Sequence, residues 1–82
     1  MNDFEWTQHG KEMLEERNIR EEWVLRALRQ PDYNNEREDG NVHYVKAIPE
    51  RGDRILRVVV NPHVFPNRIL TVFFDRRLRR KE

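Results

Sequence analysis

The 82-residue chain contains no cysteine and no serine. Without thiols, neither a disulfide nor a thiolate zinc site can support so short a fold, and hydrophobic packing or a partner must do so. The missing side chains also exclude a serine or cysteine nucleophile, so any catalysis has to be acid–base or electrostatic. Glycine is scarce: Gly10, Gly40 and Gly52 stand alone, which leaves no phosphate loop and no dinucleotide fingerprint. No apolar run approaches the roughly 20 residues of a membrane span. The acidic start Met1-Asn2-Asp3-Phe4-Glu5 lacks the basic and apolar regions of a signal peptide. The cytoplasm is the expected location, with no membrane partner.

What is present suits one small domain over residues 1–82. A chain of this length buries only about 60% of the surface its unfolded form exposes, so its core is thin. Hydrophobic residues make up 37% and charged residues 38%, yet two Trp, four Phe and two Tyr give a core something to form around. The net charge of +1 conceals an asymmetry. Residues 1–53 hold eight Lys/Arg against thirteen Asp/Glu, whereas residues 54–82 hold eight against two. Thirteen of the sixteen basic residues are Arg, whose planar fork matches phosphate geometry. A basic half of this kind is a footprint for nucleic acid or an acidic protein, or else a solvated charged surface.

Along the chain, Thr7 is placed to cap a helix in which Gly10, Met13, Leu14 and Arg17 recur at helical spacing, and Asn18 suits a left-handed stop. A second helix is expected over 20–29, acidic in its first turn at Glu21 and Glu22, with Trp23, Val24, Ala27 and Leu28 as its buried stripe and Pro31 beyond it. After a polar connection that includes a short edge strand near Tyr33, the period changes to two, and strands are expected over 42–48, 54–60 and 68–74. Short connections imply antiparallel neighbours. The expected fold class is therefore α+β, two N-terminal helices packed on a three- or four-stranded antiparallel sheet. Alternation assigns His43, Val45, Ala47, Leu56, Val58, Val60, Leu70, Val72 and Phe74 to the face beneath the helices. Tyr44, Lys46, Ile55, Arg57, Val59, Ile69, Thr71 and Phe73 fall on the other face.

His9, His43 and His63 lie on a helix start, a strand and a loop, with no second ligand at metal spacing. Neither a metal nor an organic cofactor is expected. RNA cleavage needs neither, because the substrate's 2′-hydroxyl is the nucleophile and the protein supplies a base, an acid and cations. His9 is the candidate base, since the dipole at a helix N-terminus disfavours its protonated form; its structural alternative is packing against Met13. Arg17, two turns on, either lines the same cleft or pairs with a carboxylate. Arg57 is the candidate for stabilising the phosphate, with Lys46 and Tyr44 beside it on the neighbouring strand. Arg54, Arg68, Arg76, Arg77, Arg79 and Arg80 are candidate nucleic-acid contacts, the last four within a basic, flexible tail over 76–82.

His9-Gly10, Arg17-Asn18-Ile19, the acidic helix start Glu21-Glu22, Pro31-Asp32 and the later strands 56–60 and 70–74 together resemble the domain-of-unknown-function family forty-two fifty-eight. The resemblance spans residues 9–75. Asn18 stands where glycine is usual after the motif Arg, and the last strand, ending Phe73-Phe74-Asp75, supplies no His, Lys or Tyr as acid. That family is similar to the RelE/ParE-like and BrnT-like toxins. The resemblance implies that fold, a toxin of a toxin–antitoxin pair acting as a metal-independent endoribonuclease on mRNA, and as partners a cognate antitoxin and RNA, ribosome-bound mRNA included. The alternative is a non-enzymatic module that binds nucleic acid or protein.

Overall fold

A single hydroxyl decides where the first helix begins and what it rests on. In the computed structural model, which describes residues 3–78, Thr7 Oγ1 accepts the Gly10 amide at 3.0 Å and donates to the Ile69 carbonyl at 3.0 Å. It thereby caps α1 (Gln8–Glu16) and fastens it to the last strand. Gly10 permits that approach, because an added Cβ would lie 2.5 Å from the Ile69 oxygen. Asn18 ends the helix at a φ of 55°. Its amide reaches Glu15 O and that of Ile19 reaches Leu14 O, the paired bonds of a Schellman stop. In α2 (Glu21–Arg29), Glu21 and Glu22 occupy the first turn and Arg26 and Arg29 the last, each sign complementing its end of the helix dipole. Trp23, Val24, Ala27 and Leu28 are buried, as their spacing predicts.

Five strands form one sheet in the order β1-β5-β4-β3-β2. They are β1 (Phe4–Trp6), β2 (Tyr33–Glu36), β3 (Val42–Ile48), β4 (Arg54–Asn61) and β5 (Asn67–Phe74). β1 runs parallel to β5, and the other three pairings are antiparallel. This overturns the expected RelE/ParE-like arrangement of two N-terminal helices on a three- or four-stranded antiparallel sheet: a strand precedes the helices, and the sheet is mixed. The elements remain those of an α+β protein. Three residues are too few to display alternation, and β1 finds its partner only at the far end of the chain, which is why the sequence hides it. A parallel neighbour requires a crossover, here the whole of the intervening fold. β2 is the short edge strand expected near Tyr33.

The core lies between the helices and one sheet face, built from Leu14, Ile19, Trp23, Val24, Ala27 and Leu28 above and Ile48, Leu56, Val58, Val60, Ile69 and Val72 below. Two register features change the expected faces. Lys46 pairs with Leu56, Tyr44 with Val58, and Val45 with Arg57, so Tyr44 and Lys46 share the helix side of the sheet while His43, Val45 and Ala47 lie on the other. The turn over 49–53, with Gly52 and Asp53 both at positive φ, sets Ile48 opposite Arg54 and brings the fully buried Ile48 beneath α2. Shifting a strand by one residue moves all its side chains to the opposite face. In β5, a bulge pairs Val59 with Thr71 but Val60 with Ile69. Leu70 is the extra residue, and Ile69, expected outside, enters the core.

Candidate nucleic-acid interface

β1 pairs with β5 only as far as Ile69, so among the described residues the later part of β5 has no strand on that side. A groove of about 700 Å³ lies around this end of the sheet, lined by Arg17, Arg51, Arg54, Thr71, Phe73, Phe74 and Arg76. Among the described residues, four guanidinium groups line it and no carboxylate does. Three of the four are held by aromatic faces. Arg51 and Arg54 lie 5.0 and 4.9 Å from the Phe74 ring centre, Arg51 is also 5.9 Å from that of Trp23, and Arg17 is 6.0 Å from that of Phe73. Arg17 Nη1 further donates to Val72 O at 2.9 Å. Stacking fixes the plane of a guanidinium while leaving its N–H edge available. The groove is thus a preorganised set of cationic donors beside apolar rings.

The family follows from a match over residues 6–74 to the family described as Domain of unknown function (DUF4258). The chain belongs to that family. No curated protein and no solved structure matches it.

In this DUF4258 member the arginines of the groove come from both charge halves of the sequence. Arg17 closes α1 as its C-cap, Arg51 sits in the short 3-10 turn Pro49–Arg51, Arg54 opens β4 and Arg76 follows β5. Arg17, Arg54 and Arg76 were legible as candidates. Arg51 was not, because it lies in a turn between Glu50 and Asp53, inside the acidic half. The signal that could have found it is its spacing, three residues before Arg54 at the start of the next strand.

The expected catalytic set is not gathered in one place. His9 is exposed as the second residue of α1 and does not line the groove. Tyr44 packs edge-on against Phe4 with ring centres 6.3 Å apart. The Lys46 ammonium reaches Asp32 at 3.4 Å. Both belong to the sheet face opposite that of Arg57. Arg68 approaches Glu5 at 3.8 Å, and Arg77 donates from its backbone to Asp75 Oδ1 at 2.9 Å and from its side chain at 3.4 Å. Arg79 and Arg80 lie outside the described residues, as does the expected flexibility of most of the tail. Among the described residues no three His, Asp or Glu side chains form a group able to hold a metal, and no helix is long and apolar enough to cross a membrane.

Arg57 is only 7% exposed. Its Nε donates to Asp75 Oδ2 at 3.0 Å and its Nη1 approaches His43 Nδ1 at 3.1 Å. A guanidinium can only donate, so His43 Nδ1 accepts and the ring is neutral with its proton on Nε2. Burial holds the His43 pKa below its ordinary value, helped by the charges of Arg57 and then Arg37, with Asp39 opposing. Burial acts on Asp75 in the raising direction. The Arg77 amide, the Arg57 guanidinium and the Arg77 side chain outweigh it and hold the carboxyl below its usual range. The Asp75 amide bonds Ile55 O at 2.8 Å, so the buried Arg57–Asp75 pair anchors the turn that carries Arg76 to the groove. Arg57 therefore acts on the interface by positioning it.

Proposed function

We propose that this protein binds the phosphate backbone of a nucleic acid, RNA in the first instance, through the four-arginine groove, without cleaving it. The observation that carries this reading is the composition of the groove: guanidinium groups steadied by rings, with apolar aromatic surface beside them and no carboxylate among the lining residues. A cationic channel interleaved with aromatic side chains is the chemistry of strand binding, where phosphates meet Arg and bases or sugars meet rings. Hydrolysis by the substrate's own 2′-hydroxyl asks in addition for a base and an acid at the phosphate. The polar side chains lining the groove are Thr71 and four arginines, and His9, the candidate base, is not part of it.

The test is fluorescence anisotropy of a labelled RNA oligonucleotide across a salt series. Binding should weaken steeply, with a slope of about −0.7 in log–log terms for each phosphate neutralised on a single strand. Arg51→Gln combined with Arg54→Gln should flatten the slope by about one to two such increments, while His9→Ala leaves it unchanged. Salt-independent binding, or none, would refute the proposal. Cleavage of the same oligonucleotide in the presence of chelator, abolished by His9→Ala, would instead restore the endoribonuclease reading.

A further inference from the structure

Four guanidinium groups around one concavity concentrate more positive charge than an internal segment of backbone brings to so small a volume. The groove holds about 700 Å³, within the range of pockets that enclose a single nucleotide-sized ligand rather than a duplex. Each internal phosphodiester carries one negative charge, whereas a phosphate monoester carries about −1.5 to −2 at pH 7 and presents three acceptor oxygens. The four donors line this one concavity. Arg51 and Arg54 share the ring of Phe74 as support, which keeps both guanidinium groups beside one side chain. Arg17 is held on the other side of the strand end by Phe73 and by Val72 O, and Arg76 enters from the turn fixed by Asp75.

From this concentration of positive charge in one groove we infer that the groove receives the terminal phosphate monoester of a single nucleic-acid strand, its first nucleotide lying against Phe73. The inference rests on the nucleic-acid reading above and narrows it from backbone to strand end. Charge-assisted hydrogen bonds from several arginines to a dianion supply the preference over a terminal hydroxyl. The aromatic wall supplies the preference for a nucleotide over a bare phosphate.

One short RNA is compared in three forms, with a 5′-phosphate, with a 3′-phosphate and with hydroxyls at both ends, using the full-length protein. At pH 7.5 at least one phosphorylated form should bind about tenfold or more tightly than the hydroxyl form, and which one does so identifies the end. Because the second ionisation of the monoester lies near pH 6, the dianion becomes the minor form at pH 5.5, and that advantage should shrink by up to about fourfold there. Arg51→Gln and Arg54→Gln, each checked for a native circular dichroism spectrum, should reduce the ratio between the two ends more than they reduce affinity for the hydroxyl form. Equal binding of all three forms would overturn the inference while leaving the backbone reading intact. No binding of any form would remove both. Displacement of the strand by a phosphoserine peptide as readily as by the phosphorylated strand itself would also overturn it, by assigning the site to a protein ligand.

Discussion

Removing the charge of Asp75 without changing its shape, as Asp75→Asn, isolates what the buried pair with Arg57 contributes. Both residues are nearly inaccessible, Arg57 at 7% and Asp75 at 5%, and the guanidinium has His43 as its other recorded partner. The variant leaves a buried cation facing a neutral amide, and breaking one side of such a pair costs about 3–5 kcal/mol. The lower end applies here, about 3 kcal/mol, because the asparagine oxygen can still accept from Arg57. In a domain of this size, where total stability is roughly 5–15 kcal/mol and each kcal/mol moves Tm by about 4–8 °C, the midpoint should fall by about 12–24 °C. Urea unfolding followed by Trp fluorescence measures the loss. Arg57→Met placed in the Asp75→Asn background removes the orphaned cation and should recover at least about 1 kcal/mol. A loss below about 1 kcal/mol for Asp75→Asn, or a double variant as unstable as the sum of its singles, would refute the assignment.

Three further outcomes follow from the geometry. His43 has a depressed pKa in the folded protein, so its contribution is fully present above the unfolded value of about 6.5 and is lost as pH falls from there through the folded value. Stability measured by urea midpoint should therefore decline between pH 7.5 and 5.5, and His43→Gln should flatten that part of the profile. Gly10→Ala forces a Cβ to within 2.5 Å of Ile69 O and should cost about 1–3 kcal/mol in thermal unfolding, although alanine is the better helix former. Glu50 is held down to about 2, first by the hydrogen bond from Arg26, which is two-pronged at 2.9 Å for each contact. An NMR titration should find it there, and Arg26→Ala should raise it toward the ordinary glutamate range, the backbone hydrogen bond and Arg20 still holding it somewhat below.

The helices were readable because their signals are local. The Thr7 cap, the Asn18 stop and the Trp23–Leu28 stripe each need only neighbours within one or two turns, and each is realised. Strands β3, β4 and β5 were readable as segments for the same reason. What joins them was not, because register is a property of two segments at once. The turn over 49–53 reverses the faces of Tyr44 and Lys46, and one bulge exchanges Ile69 with Leu70. The proposed constellation of Arg57, Lys46 and Tyr44 depended on that register and is divided between the two faces. The groove shows the opposite case. Its arginines are ordinary surface residues in sequence, and only the pairing of β4 with β5 brings Arg51 and Arg54 to Phe74.

The parallel pairing of β1 with β5 sets an order of events during synthesis. Thr7 and Ile69, joined through the hydroxyl that caps α1, are 62 residues apart in the chain. On a chain made from its N-terminus, α1 emerges well before its seat. Gly10, shaped to touch a strand not yet made, waits uncovered while α2 and the β3–β4 hairpin have local partners available. Long-range closures of this kind slow folding relative to local ones. The groove shares that dependence, since Arg17 comes from the early helix and Phe73, Phe74 and Arg76 from the final strand and the turn beyond it. No nascent fragment that stops short of β5 carries the groove, which forms only when β5 joins the sheet.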